Sequence, residues 1–202
     1  MNDVASSAAP ASPTQDAVQS RPAINWHNLW WVAAALIVMI AAIRSQDIFF
    51  LNFVHVATGV LWTGIDLFMG FVVGPINRRM DFAARRQFTT RLMPKMLFLM
   101  TTLATITPTT GWYLAELRGF TALPYPEYGW MLAALIITTL LGVQGVLVLL
   151  PTNVRVAFEI TKTNPNMEKV VRLMRRYVRI VAFQGSMQLA ILVIMAKLAT
   201  GL

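Results

Sequence analysis

The sequence of 202 residues is 56% hydrophobic and 13% charged, with a mean hydropathy of +0.58, whereas soluble domains carry about 25% charged residues. It has no cysteine and two histidines, His27 and His55, which excludes iron–sulfur clusters, thiolate metal sites, covalent c-type haem, disulfides and multi-histidine zinc. The net charge of +8 does not point to nucleic acid, because residues 74–95 and 151–179 each carry a net +5 and the remainder is net negative. Cationic residues confined to alternate connections are the mark of membrane orientation.

In chain order, residues 1–24 are rich in Ala, Ser, Pro and Gln and are expected to be a disordered tail. They lack the basic n-region and following apolar core of a cleavable signal. Residues 25–202 are expected to form one transmembrane helical-bundle domain. A first span is expected over about 26–43, with Trp26, Trp30 and Trp31 as interfacial anchors. A second follows over 48–73, IFFLNFVHVATGVLWTGIDLFMGFVV, before Gly74-Pro75 is expected to stop the helix. Within it His55, Gly59, Trp62, Asp66 and Gly70 share one helical stripe. A polar stripe on a lipid-crossing helix should face protein or a cofactor, because a bare imidazole or carboxylate in hydrocarbon is costly.

The basic segment from Asp81 to Lys95 reads as a helix at or beyond the membrane surface. The third span, about 96–117, holds Thr101, Thr102, Thr105, Thr107, Thr109 and Thr110 around Pro108. Threonine hydroxyls can bond back to helix carbonyls there, and a kink is expected at the proline. A Pro- and aromatic-rich connection, 118–128, leads to the fourth span, about 128–150, whose Thr138, Gly142 and Gly145 suit close helix approach. The second basic segment, 152–179, is broken by Asn164-Pro165-Asn166, with 167–179 helical. The fifth span, about 180–198, contains Gln184, Ser186 and Gln188.

The expected fold is therefore all-α: an integral membrane bundle of five transmembrane helices, four forming a core with an N-terminal helix added. Both basic segments are expected on the cytoplasmic side of a bacterial-type inner membrane, against anionic lipid headgroups. That places the N-terminus inside and the C-terminus outside. His55 then lies toward the outer side, and Asp66 toward the inner side, roughly 16 Å away along the axis. Asp66 is expected to pair with Arg91 or Lys95.

A short internal echo suggests a parallel two-helix repeat. Pro75, Asn77 and Arg79 follow the second span as Pro151, Asn153 and Arg155 follow the fourth. Arg91-Leu92-Met93 precedes the third as Arg172-Leu173-Met174 precedes the fifth. Counting back 20 residues from each proline pairs His55 with Met131. Histidine with methionine is an axial pair for haem iron, and also a soft site for copper.

His55, Trp62 and Gly64, closing at Pro75, with Arg91-Leu92-Met93-Pro94 and Gly111-Trp112 further on, resemble a group of small membrane proteins. Its members are the CopD-type copper-resistance proteins, the membrane domain of cytochrome-c-linked urate oxidases and the HemJ-type protoporphyrinogen oxidases. The resemblance covers about a third of the chain, 51–117. It implies a four- or five-helix bundle and, from the HemJ-type members, haem b held by the residue matching His55. Thr63 and Ile65 flank Gly64 where many members carry another glycine or an aromatic, and the later lysine of the HemJ-type enzymes has no clear match.

The functional expectation is a haem b-binding electron-transfer subunit of a membrane complex. His55 is the metal ligand, Met131 a second ligand, Trp62 and the third-span threonines such as Thr105 line the pocket, and Asp66 is a charge partner. The alternatives are copper handling by His55 with methionines, or a cofactor-free structural subunit. Other membrane subunits or a second copy are expected partners. Enzyme activity would need a fuller motif than these residues display.

Overall fold

Three short polar residues begin three of the long helices, each by accepting from backbone N–H groups that a first turn leaves unpaired. Asp47 accepts from Phe49 and Phe50 at 2.8 and 3.5 Å, Asp81 from Ala84 at 2.8 Å, and Asn166 from Lys169 at 2.9 Å. A computed structural model describes residues 26–160, 162 and 164–200; the tail expected over 1–24 lies outside them. Among the described residues every regular element is helical.

A turn of 3-10 helix, Trp26–Asn28, leads into α1, Leu29–Ser45. Gln46, at φ 56°, ends α1 in the left-handed region, and Asp47 starts α2, Ile48–Leu67. The expected stop at Gly74-Pro75 does not occur. α2 runs through a π-helical stretch, Phe68–Val73, directly into α3, Gly74–Arg79. α4 is Phe82–Leu117, and after a 3-10 turn, Phe120–Ala122, α5 runs Tyr128–Gln144. A second π-helical stretch, Gly145–Leu149, joins α5 to α6, Leu150–Ile160, and α7 is Met167–Ala199.

The two π-helical stretches have one cause. A proline has no N–H to give, and its ring presses on the carbonyl four residues back. A wide turn just upstream moves that carbonyl out of register, and the helix continues. In both places the residue before the proline bonds to the carbonyl five residues earlier, Gly74 to Met69 and Leu150 to Gly145. Two residues after each proline stands a buried asparagine, Asn77 and Asn153, whose Oδ1 has no hydrogen-bond partner. The sequence echo is thus matched by the same local backbone device in both halves.

Among the described residues, four helical stretches are long and apolar enough to cross a membrane: Trp26–Ser45, Ile48–Arg79, Tyr128–Ile160 and Met167–Ala199. α4 is not among them, since its first half is basic and its second is rich in threonine. Stretches of 32 and 33 residues measure about 50 Å, well beyond a ~30 Å hydrocarbon core. The excess is shared. α3, α6 and the first parts of α4 and α7 gather at one end and carry the basic residues, so the segments expected as basic loops are mostly helix. The turns at that end are Met80-Asp81 and, among the described residues, Asn164–Asn166.

α1 is peripheral, with Ala42 its buried residue, packed on Leu51, Val54, Ile106 and Leu114. α2 lies against α4 and α7, and α5 against α7. The basic end has its own core, which includes Met93, Val156, Val170 and Tyr177. There Lys162 and Lys169 both donate to Glu159 at 2.9 Å. Large exposed apolar residues such as Phe49, Phe53, Phe71, Leu147 and Val193 cover the outside of the long helices.

Candidate functional site

The stripe on α2 faces protein along its whole length, but not one neighbour. His55 and Gly59 meet α4, Trp62 packs on α4 and α5, and Asp66 and Gly70 meet α7. The intramembrane polar groups therefore form two separate centres.

In the first centre, His55 Nδ1 lies 2.9 Å from the Thr107 carbonyl and 3.5 Å from the Thr110 hydroxyl. A carbonyl can only accept, so Nδ1 carries the proton and Nε2 holds a free lone pair. The Thr110 hydroxyl donates to the Ile106 carbonyl at 2.7 Å, which leaves its lone pairs turned toward the ring. Gly111 makes this possible: a Cβ there would sit 2.7 Å from His55 Cε1. Two turns of α4 thus grip one edge of the imidazole, while the ring stays only half buried. Among the described residues Nε2 makes no hydrogen bond.

The threonines of this span bond back to their own helix. Thr101, Thr102, Thr105, Thr109 and Thr110 each donate to the carbonyl four residues back at 2.6–2.8 Å. α4 runs unbroken through Pro94 and Pro108. Thr105 is exposed and turned away from His55, so of the expected lining threonines it is Thr107 and Thr110 that reach the ring.

The second centre differs from expectation. Asp66, 1% exposed, accepts from Gln184 at 2.9 Å and Gln188 at 3.1 Å, both through Oδ2. Arg91 and Lys95, the expected partners, are exposed and make no ion pair with it. The reason is geometric: α2 and α4 run in opposite directions, and Trp62 already stands level with Leu99 and Leu103. Arg91 and Lys95 therefore fall beyond Asp66, at the basic end. Gln184 and Gln188 lie one turn apart on α7 and are both buried. Their sequence signal was present, two amides at i and i+4 in an apolar run, but nothing local ties them to a residue 118 positions away. Asp66 Oδ1, Gln184 Oε1 and Gln188 Oε1 have no partner.

Trp62 is 5% exposed, in a cluster with Leu103 and Leu141. Met131 is also buried, on α5, whose principal neighbour is α7. Gly142 and Gly145, expected at a close approach, have nothing within 4 Å of an added Cβ, whereas Gly70 and Gly74 lie directly against Ala182 and Val178 of α7.

The first centre supplies an oriented imidazole with a free Nε2. Among the described residues no three His, Cys, Asp or Glu side chains gather in a way that could hold a metal ion. No family model, no curated protein and no solved structure matches this chain.

Proposed function

We propose that this chain is a haem b-binding electron-transfer subunit of a larger complex in a bacterial-type inner membrane, with His55 as the axial ligand. The observation that carries the proposal is the hydrogen bond from His55 Nδ1–H to the Thr107 carbonyl with Nε2 left free. Metal-bound histidines use such a bond to fix the tautomer and raise ligand basicity. Haem b, when bound, supplies a one-electron carrier. The chain's own residues orient and polarise the imidazole through Thr107 and Thr110, leave room for it at Gly111, and pack the interior below it with Trp62.

In this reading the chain crosses the membrane five times. α4 lies antiparallel to α2 from Trp62 to His55, so a membrane crossed by α2 is crossed by residues 96–117 as well. The basic end is cytoplasmic by the charge rule, with the N-terminus inside and the C-terminus outside. The two helix pairs, α2–α4 and α5–α7, are parallel repeats about an axis along the membrane normal.

Absorption spectra of the protein purified in detergent from haem-replete cells test the assignment. The wild type should show a Soret band, His55→Ala should lose it, and Met131→Leu should keep it. A wild type that shows no Soret band even after titration with hemin overturns the proposal. Loss of the band in Met131→Leu would restore the His–Met pair.

A further inference from the structure

Between α3 and α7, at the basic end, lies a cavity of about 380 Å³. Arg78 and Arg85 line it from one side and Arg175 and Arg179 from the other, and no acidic residue lines it. Arg85 is part of the frame: its guanidinium donates to the carbonyls of Asn77, Arg78 and Met80 at 2.9–3.0 Å. Arg78, Arg175 and Arg179 are exposed and, among the described residues, form no ion pair. Arg175 and Arg179 stand one turn apart on the same face of α7, a like-charge spacing that costs stability unless an anion offsets it. The nearest acid in sequence, Asp81, does not line the cavity and caps the first turn of α4 instead.

The other end of the cavity is apolar. Gly70, Phe71 and Ala182 form it, about 12 Å along the helix from Arg78 at 1.5 Å per residue. Phe71 is exposed on the outer flank of the helix. Asn77 also lines the cavity; it is 7% exposed, and its Oδ1 lacks a donor. The opening thus combines an apolar floor, several guanidinium groups and one buried acceptor.

We propose that this cavity holds the headgroup of an anionic phospholipid of the phosphatidylglycerol class. The phosphate lies among Arg78, Arg175 and Arg179, a headgroup hydroxyl donates to Asn77 Oδ1, and the acyl chains leave along Phe71. Basic pockets between membrane helices on the cytoplasmic side suit such headgroups. The site is separate from His55 and does not depend on haem.

Native mass spectrometry of the full chain, delipidated in detergent, provides the test. Phosphatidylglycerol should be retained about tenfold more than phosphatidylcholine. The triple variant Arg78→Gln/Arg175→Gln/Arg179→Gln should lose that preference. A control with the same charge removed from outside the cavity, Arg79→Gln/Arg172→Gln/Arg176→Gln, should keep it. Equal loss in both triples would mean diffuse attraction to the basic end and would overturn the site. Displacement of the lipid by millimolar inorganic phosphate would assign the cavity to free anions and overturn the lipid reading. Should the first triple not fold by circular dichroism, Arg175→Gln alone is read, with at least a threefold loss expected and no loss counting against the site.

Discussion

His55 and Asp66 sit on one stripe of one helix, yet they meet the cost of polarity inside a membrane bundle in different ways. His55 leans on a backbone carbonyl, held where it is by the course of α4. Asp66 depends on two side-chain amides of α7, and the cluster keeps three oxygens without donors. A backbone acceptor survives any substitution that leaves its helix in place. A side-chain cluster can be taken apart one residue at a time. The first centre is therefore robust, with a free nitrogen to offer, and the second is closed but fragile.

The largest expected effect falls on the contact that brings α7 to the second centre. A Cβ at Gly70 would lie 2.8 Å from the Ala182 backbone, and an obstacle made of backbone cannot swing aside. Gly70→Leu should cost about 3 kcal/mol or more and abolish monodisperse protein on gel filtration, while Gly142→Leu should be silent. A Gly70→Leu protein that elutes and melts like the wild type would mean that α2 and α7 do not meet as described.

Next in size is the double substitution Gln184→Leu/Gln188→Leu, which removes both amide donors from Asp66. It should lower stability by about 3 kcal/mol in detergent, because a buried carboxyl without its amide donors is left behind. Adding Asp66→Leu should recover much of that loss in thermal unfolding, and a triple variant weaker than the double would break the account of the cluster.

Asp66→Asn sharpens it further. An amide at 66 supplies N–H groups to oxygens that now have none, so its stability should stay within about 1 kcal/mol of wild type, whereas Asp66→Leu should lose about 1–3 kcal/mol. The ordering of the two melting curves is the readout.

The smallest effects are expected at the first centre. Thr107→Val should leave the His55 environment unchanged, since the accepting atom belongs to the backbone and the Thr107 hydroxyl has no partner. Gly111→Ala should cost about 1 kcal/mol by pressing on the ring and should shift the His55 imidazole resonances in NMR. A large shift in Thr107→Val with none in Gly111→Ala would reverse the assignment of what holds the ring.

Much of this molecule is legible in the order of its residues. Apolar runs, the stripe on α2 and the two clusters of cations are local patterns, and local patterns decide where helices form and which faces avoid lipid. The echo around Pro75 and Pro151 is also visible, but the stop expected at Gly74-Pro75 does not occur. A proline ends a helix unless the turn before it widens, and that depends on the next segment having neighbours to pack on. The partner of Asp66 differs from expectation for a related reason: similar depth toward the basic end favours Arg91 and Lys95, while the antiparallel course of α2 and α4 carries those cations beyond the carboxylate and leaves it opposite α7.

The sequence by itself determined an all-helical chain with apolar faces for a bilayer, a basic end, and an imidazole and a carboxylate that must face inward. Only the tertiary structure decided which glycines touch a neighbour, that the His55 ring is held by Thr107 and bedded on Gly111, and that two distant glutamines answer Asp66. Periodicity along one helix says which side is polar. What stands opposite that side depends on how helices distant in the chain pack, and no short stretch of residues contains that information.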